Sequence, residues 1–156
     1  MKNFLYVSLL ASSLLSASSV YAVEKTTQFE VKLTINESCE FGTASGIDFE
    51  TFDRSTQATK TANGTLAVTC TLGTPYKIVL DSNREMANTN DASSVVAYDL
   101  FQDSANKIIW GKTVDEAVAQ TGTGSIQNLT ISAQLRGNTN VKAGNYTDTV
   151  TARISY

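Results

Sequence analysis

The stretch QFEVKLTIN, residues 28–36, alternates without a break. Phe29, Val31, Leu33 and Ile35 are apolar, while Gln28, Glu30, Lys32, Thr34 and Asn36 are polar. Successive side chains of a strand point to opposite faces, so the pattern predicts a β-strand with one dry face and one wet face. Burying four such apolar side chains is worth roughly 6–12 kcal/mol. Leaving them in water invites edge-to-edge aggregation. The strand therefore needs a sheet to complete, and it stands near an end of the chain, where segments usually fray.

Outward from this stretch, nearly every patterned segment keeps the period of two. GIDFETF (46–52) sets Ile47 and Phe49 between acids, GTLAVTC (64–70) puts Leu66, Val68 and Cys70 on one face, and YKIVLD (76–81) does the same with Tyr76, Ile78 and Leu80. SVVAYDLFQD (94–103) is almost continuously apolar, as a central strand is, and KIIW (107–110) follows it after a short polar turn, as in a hairpin. SIQNLTISAQL (125–135) and NYTDTVTARISY (145–156) complete the series, the last with Val150, Ala152, Ile154 and Tyr156 on one face up to the final residue. Gly, Asn and Asp cluster between these runs, at 63–64, 72–75, 81–91, 121–124 and 137–144, where tight turns need positive φ. Short strands at this spacing predict an all-β sandwich or barrel. VDEAVAQ (114–120) is the one candidate for a helical turn.

The chain begins MKNFLYVSLLASSLLSASSVYA, with Lys2 before an apolar run and small residues before Val20-Tyr21-Ala22. This is the pattern of a secretory signal peptide over residues 1–22, and the run is too short for a spanning helix. In an exported chain, two cysteines, Cys39 and Cys70, suggest one disulfide. The formal net charge of −3, with no Lys/Arg cluster, gives no support to nucleic-acid binding.

Chemistry is scarce. The chain has no His, which excludes Ser–His and Cys–His nucleophile systems. Two distant Cys without His make no metal site. The carboxylate pairs Asp48/Glu50, Asp99/Asp103 and Asp115/Glu116 read as solvated faces rather than acid–base pairs. The loop 81–92 spaces Asp81, Asn83 and Glu85 by two, but Met86 stands where a calcium loop needs Gly and Ala92 where it needs a bidentate Glu. TGTGS (121–125) lacks the Lys of a phosphate loop. Asn36, Asn63, Asn128 and Asn145 head Asn-x-Ser/Thr triplets, which matter only in a eukaryotic secreted protein. Trp110, Tyr98 and Phe101 are expected in the core. No enzymatic activity and no cofactor is expected.

In order and spacing these segments resemble the spore coat protein U domain family, the pilin type of archaic chaperone–usher pili. The resemblance rests on the export signal, the alternating strand followed by Cys39, the Val68-Thr69-Cys70 strand end, VVAYDLFQD, and the closing AGNYTDTVTARISY with Gly144, Tyr146 and Asp148 in a G-x-Y-x-D pattern. It implies an incomplete immunoglobulin-like β-sandwich, residues 37–156, preceded by a donor-strand extension, 23–36. Phe29, Val31, Leu33 and Ile35 would be the donor face. Val150, Ala152, Ile154 and Tyr156 would line the acceptor strand, and Cys39–Cys70 would join the first two strands. The implied partners are a periplasmic pilus chaperone, an outer-membrane usher and neighbouring pilin subunits, in a fibre exported through the periplasm to the cell surface for attachment and biofilm formation. A chain of this length leaves no room for the second domain of a tip adhesin, so a shaft subunit is expected. Two other readings stand beside it. One is a secreted monomeric sandwich that binds carbohydrate through Trp110 or Tyr76. The other is a spore or cyst coat protein. A strand looks the same whether it pairs in its own sheet or in another subunit's.

Overall fold

The structure is a computed structural model, and it describes residues 21–54, 56 and 59–156. The signal peptide expected over 1–22 thus falls almost wholly outside the described residues. The chain divides into two units, Met1–Thr34 and Ile35–Tyr156. The described part of the first forms no helix or strand.

Among its described residues the second unit holds nine strands: β1 (Cys39–Ser45), β2 (Thr61–Cys70), β3 (Pro75–Asp81), β4 (Glu85–Asn88), β5 (Asp91–Phe101), β6 (Val118–Thr121), β7 (Ile126–Leu135), β8 (Tyr146–Thr147) and β9 (Thr151–Ser155). They form two antiparallel sheets, one of six strands in the order β1-β2-β7-β5-β4-β8 and one of three in the order β6-β3-β9. This is a two-layer, immunoglobulin-like sandwich whose core is closed by the inward residues of both sheets. Leu66 and Val68 of β2, Ile78 and Leu80 of β3, and Leu100 of β5 are all buried there.

Trp110 ties the layers together. It is wholly buried, and its indole N–H donates to the Ile78 carbonyl at 2.8 Å. Arg84 then donates to the Leu80 and Trp110 carbonyls at 2.8 and 2.7 Å. Tyr98 and Phe101 are also buried, as expected of core aromatics. With Trp110 fully buried and Tyr76 only 2% exposed, neither offers a face on which a sugar ring stacks.

Several expected elements differ. Residues 28–36 form no strand, because a strand needs a ladder partner and this segment has none among the described residues. Residues 46–52 are irregular for the same reason. The loop 81–91 contains β4, which pairs with β5 through Glu85↔Ala97 and Met86↔Val96. The expected 107–110 strand shrinks to one bridge, Phe101↔Ile109. The candidate helical turn is a 3-10 turn, Val114–Glu116, that runs into β6. The closing segment splits into β8 and β9, and β9 stops at Ser155, one residue short of the end.

Candidate functional site, the groove beside the last strand

The first and the last strand each end a sheet, and they differ in what ties them to it. On one side β1 and β2 run antiparallel with Cys39 opposite Cys70, and these two cysteines form a disulfide. The bond joins the first two strands of the sandwich. On the other side β9 pairs only with β3, from Lys77↔Ser155 to Asp81↔Thr151. Its second edge carries no strand among the described residues. An edge of this kind presents a row of unpaired N–H and C=O groups to any extended chain.

A groove of about 450 Å³ opens along that edge. Its floor is the core itself, with Leu66, Leu80, Leu100 and Ile131, and Val150 and Ala152 stand on its wall. Of the residues expected on the acceptor strand, Val150, Ala152 and Ile154 are half-buried against the core. Ile154 does so without lining the groove. Tyr156 follows β9, is 58% exposed, and lines a separate shallow depression with Pro75, Tyr76 and Lys77. The structure therefore brings Val150 and Ala152 together at the groove and sets Tyr156 apart.

The G-x-Y-x-D residues build the approach to β9. Gly144 lies against Asn88, and a Cβ there would come within 2.5 Å of the Asn88 amide nitrogen, so only glycine fits. Tyr146 lines the groove and its hydroxyl bonds with that of Ser94 at 2.8 Å. Asp148 accepts a hydrogen bond from the Tyr98 hydroxyl at 2.5 Å and from the Thr149 N–H at 2.7 Å. Burial, and then this bond to Asp148, hold the Tyr98 phenol above its ordinary pKa. The turn that aims β9 is thus fixed from two strands of the opposite sheet. Sequence reading found the motif; what the spacing hid was that Gly144 meets β4 while Tyr146 and Asp148 bond to β5.

The expected donor residues belong to no strand here. Phe29, Val31 and Leu33 are each 84% exposed, and Ile35 is 76% exposed. For four large apolar side chains in one stretch this is far from the usual fate of such residues.

Of the six carboxylates in these pairs, all but the exposed Asp115 have structural employment. Asp48 accepts from the Glu50 N–H, Glu50 pairs with Lys60 at 2.9 Å, Asp99 faces Arg136 at 3.6 Å, Asp103 accepts three backbone N–H groups, and Glu116 accepts from Thr113. No cluster able to hold a metal ion occurs among the described residues, and no described helix is long and apolar enough to cross a membrane. An apolar trough with an open backbone edge is suited to taking in a strand rather than to catalysis.

A sequence model of the Spore Coat Protein U domain matches residues 25–153. The chain belongs to that family. As a Spore Coat Protein U domain protein it is a structural protein and not an enzyme. Its fold is similar to a chain in the crystal structure of the CsuC–CsuE chaperone–tip adhesion subunit pre-assembly complex from archaic chaperone–usher Csu pili of Acinetobacter baumannii. The TM-score is 0.57 at 21% identity, over 79% of this chain and 41% of that one. This Spore Coat Protein U domain chain thus spans less than half the length of the chain it matches. No curated protein matches it.

Proposed function

We propose that the protein is a structural shaft subunit of a chaperone–usher surface pilus, polymerising by donor-strand exchange and serving attachment and biofilm formation. The observation that carries this is a pair: a sandwich with an open groove beside β9, and an alternating apolar segment without a strand partner among the described residues. In an antiparallel pairing with a second copy, the donor face Phe29, Val31, Leu33 and Ile35 runs against Tyr156, Ile154, Ala152 and Val150, four positions against four. Ladder bonds supply affinity and the alternate side chains supply specificity. The contact is head to tail and does not close, so it yields a fibre. A periplasmic chaperone would hold the groove until an outer-membrane usher exchanges it for the next subunit. The family and the fold shared with a chain of a chaperone–subunit complex support this reading, whereas a coat protein needs no exposed donor segment.

Non-boiled gel electrophoresis of the exported protein tests it. A ladder of multimers that collapses on heating is expected, and monomer alone overturns the proposal. Deleting residues 23–35 should leave a subunit that binds its chaperone and joins no fibre. Leu33→Asp should cut fibre yield, because it forces a charge into an apolar groove.

A further inference from the structure

Ile47 and Phe49 divide the open side of the sandwich in two. The 450 Å³ groove and a neighbouring hollow of about 480 Å³ meet at Ile47, Phe49, Met86 and Tyr146, which line both. The segment carrying Ile47 and Phe49 has the alternation of a strand but forms none. Side-chain contacts hold it instead. Phe49 meets Tyr98 edge to face, with ring centroids 6.5 Å apart. Ile47 rests over Gly64, where a Cβ would lie 2.7 Å from its Cγ1. The segment ends at Glu50, whose φ of 59° is in the left-handed region that non-glycine residues avoid. The Asp48 carboxylate on the Glu50 N–H, at 2.7 Å, and Lys60 on its side chain, at 2.9 Å, hold that conformation. A completed sandwich fills such space with side chains of a ladder-bonded strand. Here it is part-filled by the chain itself, from a segment with no ladder bonds to lose on leaving.

We propose that Ile47 and Phe49 are a built-in stopper, a temporary intramolecular filling that a strand from a second copy of this chain pushes aside. The proposal rests on the donor-strand reading and adds regulation of that groove. The stopper covers apolar core in the unfilled subunit and slows strand capture. Phe49 is the larger part, because its ring stands between the two cavities and on Tyr98.

The test follows heat-labile multimers of the purified full chain over time, on non-boiled gels, for the wild type, Phe49→Leu, Phe49→Ala and Ile47→Ala. Phe49→Ala should speed their appearance roughly three- to tenfold, the scale of one lost aromatic contact, with Phe49→Leu between it and the wild type. Phe49→Leu keeps an apolar side chain and so serves even if the alanine variant fails to fold. A wild type that forms no such multimers overturns the donor-strand reading. A wild type that forms them, with variants equally fast or slower, overturns the stopper alone and makes Phe49 a fixed part of the groove wall. As a second readout, the Tyr98 ring resonances should shift when multimers form, as Phe49 leaves. Unchanged resonances also overturn it.

Discussion

β3 and β9 lie side by side in one sheet, with Ile78 opposite Ile154 and Leu80 opposite Ala152. Both alternate, and both turn their apolar residues toward the same core. Yet Ile78 and Leu80 are 0 and 1% exposed, whereas Ala152 and Ile154 are half-buried. The difference is in their neighbours. β3 has β6 on one edge and β9 on the other, while β9 has β3 alone. Alternation specifies which face of a strand is dry, and a missing neighbour decides how dry it becomes. The groove proposed to take in a strand is the gap between those two statements.

The β1–β2 pair can be broken at the disulfide. Replacing Cys39 and Cys70 by Ser removes a crosslink over a separation of 31 residues, worth about 3–4 kcal/mol in the chain-entropy model. A guanidinium melt of the double variant should show that loss, and a reductant should add nothing further. The comparison itself is sharpened by a matched pair. Ile78→Ala should cost about 3 kcal/mol, since it opens a cavity in a site that is 0% exposed. Ile154→Ala should cost about 1 kcal/mol in the unfilled subunit, because part of that side chain already faces water. Thermal melts would show the two. If Ile154→Ala proved as costly as Ile78→Ala, β9 would be a finished wall after all.

A smaller effect is expected at the turn into β9. Tyr98→Phe removes the hydroxyl that donates to Asp148. Asp148 is exposed, so the loss should be about 1 kcal/mol rather than the full value of a buried charged bond. Amide exchange should quicken over Thr151–Ser155 more than over Pro75–Asp81, because only the first depends on that turn.

Much of this was legible in the sequence. Period two located β2, β3, β5, β7 and β9, and the buried Trp110 followed from an aromatic next to alternating strands. Pattern failed where pairing, not propensity, makes the strand. QFEVKLTIN and GIDFETF alternate as well as any segment but lack a ladder partner among the described residues, and β4 hid among the turn residues Asp81 to Asp91 because its partner β5 supplies the bonds. The groove was legible only through family resemblance. A gap is a property of two sheets, and no residue of β9 announces that its second edge is open.

One turn offers a control that leaves both walls alone. Asp103 accepts backbone N–H groups from Ile108 at 2.7 Å, Lys107 at 3.0 Å and Ala105 at 3.1 Å. These bonds, that from Ile108 foremost, hold its carboxyl below the ordinary carboxylate range. Folding therefore favours the ionised form. The stability this adds is present above the unfolded pKa, near 4, and is lost as pH falls through the lower folded value. Asp103→Asn keeps an acceptor and removes the charge. At neutral pH the variant should melt slightly below the wild type, and below about pH 4 the gap should close. Its rate of multimer formation at neutral pH should equal that of the wild type, since Asp103 does not line the groove. A variant that melted normally but assembled slowly would place this turn in the strand-capture machinery and blur the distinction between a finished wall and an open one.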